Sequence, residues 1–227
     1  MRSNLTPAAR LNLVLVILMT LAGWACLTRL PAGAQIATHF ALDGTPNAYQ
    51  PARHGVFLLP AVAALVWLVM AVVPVIDPRG NIGRAPTAYR IMWTAVTGLL
   101  AVFQAMILSV ALGAHAPGSG FGIVCLGAVL ATMGNQLGKL RPNFFIGIRT
   151  PWTLSSDAVW DQTHRLGGFT CVAAGLVMIG AGLVIPNPRV MLPLAAGAMT
   201  TALLVPMAWS YKLWRDEAGA GVRGGNR

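Results

Sequence analysis

Six stretches of this chain, each about 20 residues long, contain no Asp, Glu, Lys or Arg. An α-helix rises about 1.5 Å per residue, so about 20 apolar residues cross the roughly 30 Å hydrocarbon core of a bilayer. The predicted spans are Leu11 to Thr28, Val56 to Ile76, Ile91 to Gly113, Phe121 to Leu137, Gly167 to Ile185 and Val190 to Ala208. We therefore predict an all-α integral membrane protein with six transmembrane helices.

The composition agrees with lipid as the solvent of this chain. Hydrophobic residues make up 56% of it and charged residues 10%, too few to cover a water-soluble core of this size. The net charge of +10 would suggest nucleic acid in a soluble protein. Here the basic residues lie between the apolar stretches, as juxtamembrane charges do. We expect a lipid bilayer as partner and no direct contact with nucleic acid.

The basic residues are divided unequally between the two sides of the predicted bundle. The side that carries both termini holds Arg2, Arg10, Arg79, Arg84, Arg90, Lys139, Arg141, Arg149, Arg165, Lys212, Arg215, Arg223 and Arg227. The other side holds only Arg29, Arg53 and Arg189. Because cytoplasmic loops are enriched in Lys and Arg, both termini are predicted to be cytoplasmic.

The first apolar stretch has an alternative interpretation. Two arginines precede it and Ala32-Gly33-Ala34 follow it, an arrangement typical of a secretory signal with its cleavage site. Cleavage would leave five spans and would move no other loop to the opposite side.

The outer loop after the first span contains a hairpin signal. Residues 36–42 partly alternate larger and smaller side chains, and an Asp-Gly pair at 43 and 44 follows. We predict a small β-hairpin here, with His39, Phe40 and Asp43 as candidate contacts to an outer ligand. The alternative is a cap on the lipid headgroups, anchored by Phe40 and Tyr49.

The inner loop, Gly138 to Leu166, is the longest polar interruption. Prolines at 142 and 151 exclude a continuous helix, so the first half is predicted to be irregular. In the second half Ser155 is a good N-cap, and Asp157 lies in the first turn, where the helix dipole favours an anion. We predict a short amphipathic helix from about Ser156 to Leu166.

The same loop carries a dense motif. It consists of Gly134-Asn135, then Pro142-Asn143-Phe144-Phe145-Ile146-Gly147-Ile148-Arg149-Thr150-Pro151-Trp152-Thr153-Leu154-Ser155, then Val159-Trp160 and Thr163-His164-Arg165. This pattern resembles the SdpI family of bacterial membrane proteins, and the resemblance implies a location in a bacterial inner (plasma) membrane. Thr38-His39-Phe40 and Phe57-Leu58-Leu59-Pro60 resemble a domain of unknown function that often precedes the SdpI region. We predict a two-helix unit with the outer loop at 1–90, an SdpI-like four-helix unit at 91–215 and a disordered basic tail at 216–227.

The resemblance implies immunity to, or sensing of, a membrane-active peptide toxin or envelope stress, and sequestration of a transcriptional repressor at the cytoplasmic loop. The residues predicted to bind that partner are Asn143, Phe145, Arg149, Trp152, Trp160 and His164. Aromatic and basic residues are equally typical of an interfacial belt against anionic lipid. The alternative function is a small transporter or flippase, with Gln104 and Asn135 along a polar path. Ion-coupled carriers usually hold an ionisable residue at membrane depth, which these spans lack.

Chemistry by this chain is not expected. Asp157, Asp161 and His164 share one helical face and could hold a metal. We favour instead a helix-capping Asp157, an Asp161–Arg165 pair and His164 packed beneath Trp160. Ser155 and Ser156 lie near His164, but no nucleophile elbow accompanies them. The three cysteines stand singly in apolar runs. We predict no enzyme activity, no cofactor and no metal site.

Overall fold

The computed structural model describes residues 6–41 and 44–224. The elements are α1 Pro7–Leu27, β1 Gln35–Phe40, β2 Pro46–Pro51, α2 Ala52–Ile76, α3 Pro86–Ala111, α4 Gly120–Leu137, α5 Pro151–Ser155, α6 Asp157–Val184 and α7 Pro188–Gly224, with a 3-10 turn Ile82–Arg84 before α3. All the α-helices except α5 are long and apolar enough to cross a membrane. The prediction of six spans and a small hairpin is confirmed.

The connectivity gives the bundle two distinct ends. We call the end with the start of α1, the α2–α3 connection, residues 138–156 and the end of α7 the terminal end. The opposite end, with the two strands and the α3–α4 connection, is the hairpin end. An ion pair from Arg79 to Asp157 joins the α2–α3 connection to the start of α6 at the terminal end. Gly44 approaches Pro117 at the hairpin end. Which end faces the cytoplasm stays a prediction from charge.

Hydroxyl caps and prolines set where helices begin. Thr6 accepts a hydrogen bond from the Ala9 N–H at 3.2 Å, and a proline follows it at the start of α1. Thr150 and Thr153 form a capping box that starts α5, again with a proline in its first turn. Side-chain oxygens at N-caps satisfy first-turn N–H groups, and proline loses no helical hydrogen bond there.

Two predicted boundaries differ from the structure. The helix expected over 156–166 is the beginning of α6, which is continuous with the fifth span because no proline interrupts it. Its N-cap is Ser156, whose Oγ accepts from the Val159 N–H at 3.3 Å, and not Ser155. Helix α7 continues to Gly224, beyond the predicted start of the disordered tail at 216, and residues 225–227 lie outside the described residues.

Helices α4 and α6 pack at unusually short range through glycines spaced seven residues apart. The pairs are Gly120 with Gly182, Gly127 with Gly175, and Gly134 with Gly168. A Cβ on the second glycine of the middle pair would lie 2.5 Å from the carbonyl oxygen of the first, and the reverse distance is 2.7 Å. Membrane helices associate through such close packing, since lipid supplies no hydrophobic drive between them.

The first helix belongs to the bundle. The Asn12 side chain, fully buried, donates to Thr94 Oγ1 at 3.2 Å, and the Trp67 indole N–H donates to the Ala9 carbonyl at 2.8 Å. These bonds join α1 to α3 and to α2.

The two strands form the predicted antiparallel hairpin, with Ile36 opposite Gln50. Ile36 is buried against α2, where a Cβ on Gly55 would clash with it. Gly44 in the turn has φ +86°, a conformation that favours glycine. Asp43, a predicted ligand contact, lies outside the described residues.

Candidate functional site

Residues 138–156, here called the signature loop, are organised around the amide of Asn143. Its Oδ1 accepts from the N–H groups of Phe145 and Ile146 at 2.9 and 2.8 Å. Its Nδ2 donates to the carbonyls of Arg141 and Ile146 at 2.9 and 3.1 Å. Asn143 is 1% exposed. An asparagine that bonds nearby backbone supports a turn, and this one uses its whole amide for that purpose.

A second group of buried bonds attaches the loop to the first turns of α6. The Trp160 indole N–H donates to the Leu140 carbonyl at 2.9 Å, and the Ile148 N–H donates to His164 Nε2 at 2.9 Å. The rings of Trp160 and His164 stack with centroids 3.9 Å apart, which confirms the predicted packing. Gly147, with φ +116°, lies against the imidazole, where any Cβ would clash.

These contacts define the state of His164. Because a backbone N–H donates to Nε2, the ring proton is on Nδ1, which donates to the Trp160 carbonyl at 2.9 Å. The imidazole is therefore neutral and both of its nitrogens are occupied. A second proton would oppose the Ile148 N–H.

Hydroxyl groups connect the loop to α7. Thr150 Oγ1 lies 3.2 Å from Ser210 Oγ, and Thr153 Oγ1 donates to the Ile148 carbonyl at 2.8 Å. All three hydroxyl residues are buried. Trp152 adds a ring contact to Tyr211 of α7 at 5.0 Å. The loop is thus held to two helices of the bundle.

The α2–α3 connection also binds the signature loop. The sequence analysis did not single out this connection. Arg79 pairs with Asp157 at 2.9 Å and donates to the Leu154 carbonyl at 3.2 Å. Asn81 donates to the Pro142 carbonyl at 2.8 Å. Asp77 holds the connection in shape by accepting from the Asn81 and Ile82 N–H groups at 2.8 and 3.1 Å. The sequence signal for this role was only the run of polar residues between two spans.

The predicted partner-binding residues separate into two groups. Asn143, Trp160 and His164 are buried at 1%, 0% and 1% exposure. The prediction that they face a partner is therefore corrected, because their polar atoms bond within the loop. Phe145 packs partly buried beside Tyr89 and Trp93. Arg149 is exposed and donates to the Phe144 carbonyl at 2.7 Å, and Trp152 is half-buried. A partner could contact the last two.

The metal face considered from sequence does not form. His164 is buried with both nitrogens engaged, while Asp157 and Asp161 are exposed. Among the residues that the structure describes, no three His, Cys, Asp or Glu side chains converge as a metal would require. The single ion pair described is Arg79–Asp157, so Asp161 does not pair with Arg165.

The polar path considered for transport is not assembled by this fold. Gln104 is 2% exposed and donates to the Val56 carbonyl of α2 at 2.8 Å. Asn135 is exposed on α4. The two amides therefore face different surroundings.

A cavity of about 320 Å³ lies at the hairpin end, between the strands and the α3–α4 connection. Its apolar lining includes Phe40, Phe103, Met106 and Phe121. His39, also in the lining, is exposed and donates from Nδ1 to Asn47 Oδ1 at 2.6 Å. Two of the three predicted outer-ligand residues thus border one hollow.

The fold and its loops define a multi-pass membrane protein with an internally bonded loop at its terminal end. Residues 139–210 match the SdpI/YfhL protein family, and residues 14–64 match a domain of unknown function (DUF1648). The chain is an SdpI-like membrane protein, with this domain before its SdpI region, and the predicted resemblance is confirmed.

One relative carries a functional name. The chain is 27% identical over 128 residues to the immunity protein SdpI of Bacillus subtilis (strain 168). The alignment covers 54% of this chain and 58% of that protein. No solved structure matches the chain.

Proposed function

We propose that this protein protects a bacterial cell against a membrane-active peptide, or senses one, at its hairpin end. The observation that carries the proposal is the 320 Å³ apolar cavity beside His39 and Phe40. The relative named as an immunity protein supports the same activity. The excess of Lys and Arg at the terminal end supports an outward-facing hairpin end, where a secreted peptide would arrive.

The cavity suits an apolar side chain of such a peptide. Its lining is aromatic and aliphatic, and small-molecule and side-chain pockets are typically apolar with a few polar groups that orient the ligand. The proposal assigns no catalytic step to the protein, because binding alone removes the peptide from the bilayer.

A matched pair of glycine substitutions tests this cavity. Gly122 lines it and has open space where a Cβ would stand, so Gly122→Leu fills the hollow without a clash. Gly180→Leu adds the same side chain on the exposed face of α6. A deletion strain should become sensitive to membrane-active peptides. The wild type and Gly180→Leu should restore resistance, and Gly122→Leu, at equal membrane abundance, should not.

The outcome that contradicts the proposal is equally direct. If the deletion strain is no more sensitive to membrane-active peptides than the wild type, the protein does not provide immunity to them. If Gly122→Leu protects the cell fully, the cavity is not needed for immunity.

We further propose that the terminal end holds a transcriptional repressor. Exposed Arg149 and half-buried Trp152 on an internally bonded loop support this, since arginine and aromatic residues dominate binding surfaces. Pull-down from membranes should recover a DNA-binding protein with the wild type and with Arg189→Ala, a control at the hairpin end, but less with Arg149→Ala. Recovery of no such protein with the wild type would end this part of the proposal.

A further inference from the structure

Arg90, on the first turns of α3 at the terminal end, is an exposed cation between two apolar hollows. Among the described residues, none makes an ion pair or a side-chain hydrogen bond with the Arg90 guanidinium. A guanidinium keeps its charge in any protein environment, so Arg90 is available to an anionic acceptor from outside the chain.

The first hollow, of about 530 Å³, lies between the start of α1, the end of α2 and the start of α3. Most of its lining is apolar, including Met70, Val75 and Ile82. Trp93, also in the lining, is 1% exposed, and its indole N–H has no hydrogen-bond partner. A buried donor without an acceptor destabilises the folded protein. An acceptor brought by a ligand would satisfy it.

The same hollow is bordered by the positive end of α3. This helix has no side-chain cap at its N-terminus and no acidic residue in its first turn. Uncapped first-turn N–H groups and the helix dipole favour an anion at such a position. The hollow therefore combines an apolar wall with unpaired donors and a cation.

The second hollow, of about 600 Å³, is a groove between α3 and α4. On α3 its lining extends from Arg90 to Val102. Twelve residues of helix rise about 18 Å, close to the roughly 15 Å of one hydrocarbon leaflet. Ala95, Gly98 and Ala128 leave the groove open because their side chains are small.

We propose that Arg90 binds the phosphate of an anionic phospholipid from the leaflet at the terminal end, with one acyl chain in each hollow. A free phosphate would leave both hollows empty. A helix about 10 Å wide and 18 Å long occupies about 1,400 Å³, more than twice the groove, so a partner helix fits poorly. A flexible hydrocarbon chain matches the length and the apolar lining.

Native mass spectrometry of the purified protein tests the headgroup. The detergent solution contains equal amounts of phosphatidylglycerol and phosphatidylcholine with identical chains. An interfacial cation contributes about 1 kcal/mol, which is about a fivefold preference for the anionic lipid. The wild type and Arg189→Gln, a charge-matched control at the hairpin end, should show it. Arg90→Gln should lose it.

A second pair of variants tests the acyl-chain site. Gly98→Leu fills the groove, because nothing lies within 4 Å of its ideal Cβ position, and should reduce retention of both lipids at least fivefold. Gly197→Leu, exposed on α7 with equal space, should retain lipid as the wild type does. Circular dichroism and gel filtration verify that each variant is folded.

Three results would overturn the lipid site. They are equal retention of the two lipids by the wild type, an unchanged preference in Arg90→Gln, and a dimer mass that Gly98→Leu abolishes. The last would make the groove an interface between copies of the chain.

Discussion

Gly175 on α6 packs directly against the backbone of α4, and a single methyl group there should weaken the bundle. An added Cβ would lie 2.5 Å from the Gly127 carbonyl oxygen, 2.7 Å from the Ala131 nitrogen and 2.8 Å from the Ala131 Cβ. Two of these three atoms belong to the backbone of a helix, so side-chain rotation cannot relieve the clash. The helices must separate by about 1 Å to restore ordinary contact.

The cost follows from overpacking. Extra methyl groups in a packed interior destabilise by about 1 to 3 kcal/mol, which raises the unfolding equilibrium constant about 5-fold to 150-fold. Gly→Ala also raises helix propensity by up to about 1 kcal/mol, which opposes the loss. Gly180→Ala on the same helix isolates that term, since nothing lies within 4 Å of its Cβ position.

The assay is reversible unfolding of the purified protein in mixed micelles with increasing SDS, followed by tryptophan fluorescence. Gly175→Ala should unfold more readily than Gly180→Ala by the stated 1 to 3 kcal/mol. Gly127→Ala acts at the same contact. The double variant with Gly175→Ala should therefore lose less free energy of unfolding than the two single variants lose in total. Equal stability of Gly175→Ala and Gly180→Ala would refute the close approach of α4 and α6.

Three further predictions concern the signature loop. Arg79→Ala removes the contacts to Asp157 and Leu154. Because the Asp157 side chain is 72% exposed and that of Arg79 is 30% exposed, water weakens the pair, and the loss of stability should be no more than about 1 kcal/mol, measured by SDS unfolding against Arg189→Ala. Asn143→Ala removes four hydrogen bonds to the backbone, so trypsin should cleave the loop at least tenfold faster than in the wild type. Cleavage at the wild-type rate would show that Asn143 does not hold the loop together. Nitrogen-15 NMR should find His164 neutral with its proton on Nδ1, and the opposite tautomer would contradict the bond from Ile148.

Much of the architecture could be predicted because its causes are local. Long apolar stretches produced the six spans, and alternation before Asp43-Gly44 produced the hairpin. Prolines at 142 and 151 predicted an irregular loop, but the short helix α5 that starts at the second proline was not predicted. The boundary at 156–166 was less predictable, since a polar helical segment continuing directly into an apolar one has no breaker to mark the join.

The candidate site was only partly predictable. The motif of the signature loop was visible, but aromatic, basic and amide residues suggested a docking face equally well as an internal scaffold. Burial decided between these two interpretations. Asn143, Trp160 and His164 are buried, and polar side-chain atoms of all three bond to the backbone of the loop. Sequence pattern does not reveal which polar side chain will find a backbone partner, because such partners depend on loop geometry.

The sequence by itself determined that this chain spans a membrane six times, has a hairpin at one end and carries the SdpI motif. Those properties depend on hydropathy, turn chemistry and residue order. Only the tertiary structure decided that glycines seven residues apart pair across α4 and α6 and that Arg79 reaches Asp157, 78 positions away. It also decided that Arg90 stands between two apolar hollows. Contacts between distant segments depend on how helices pack, which no local pattern encodes.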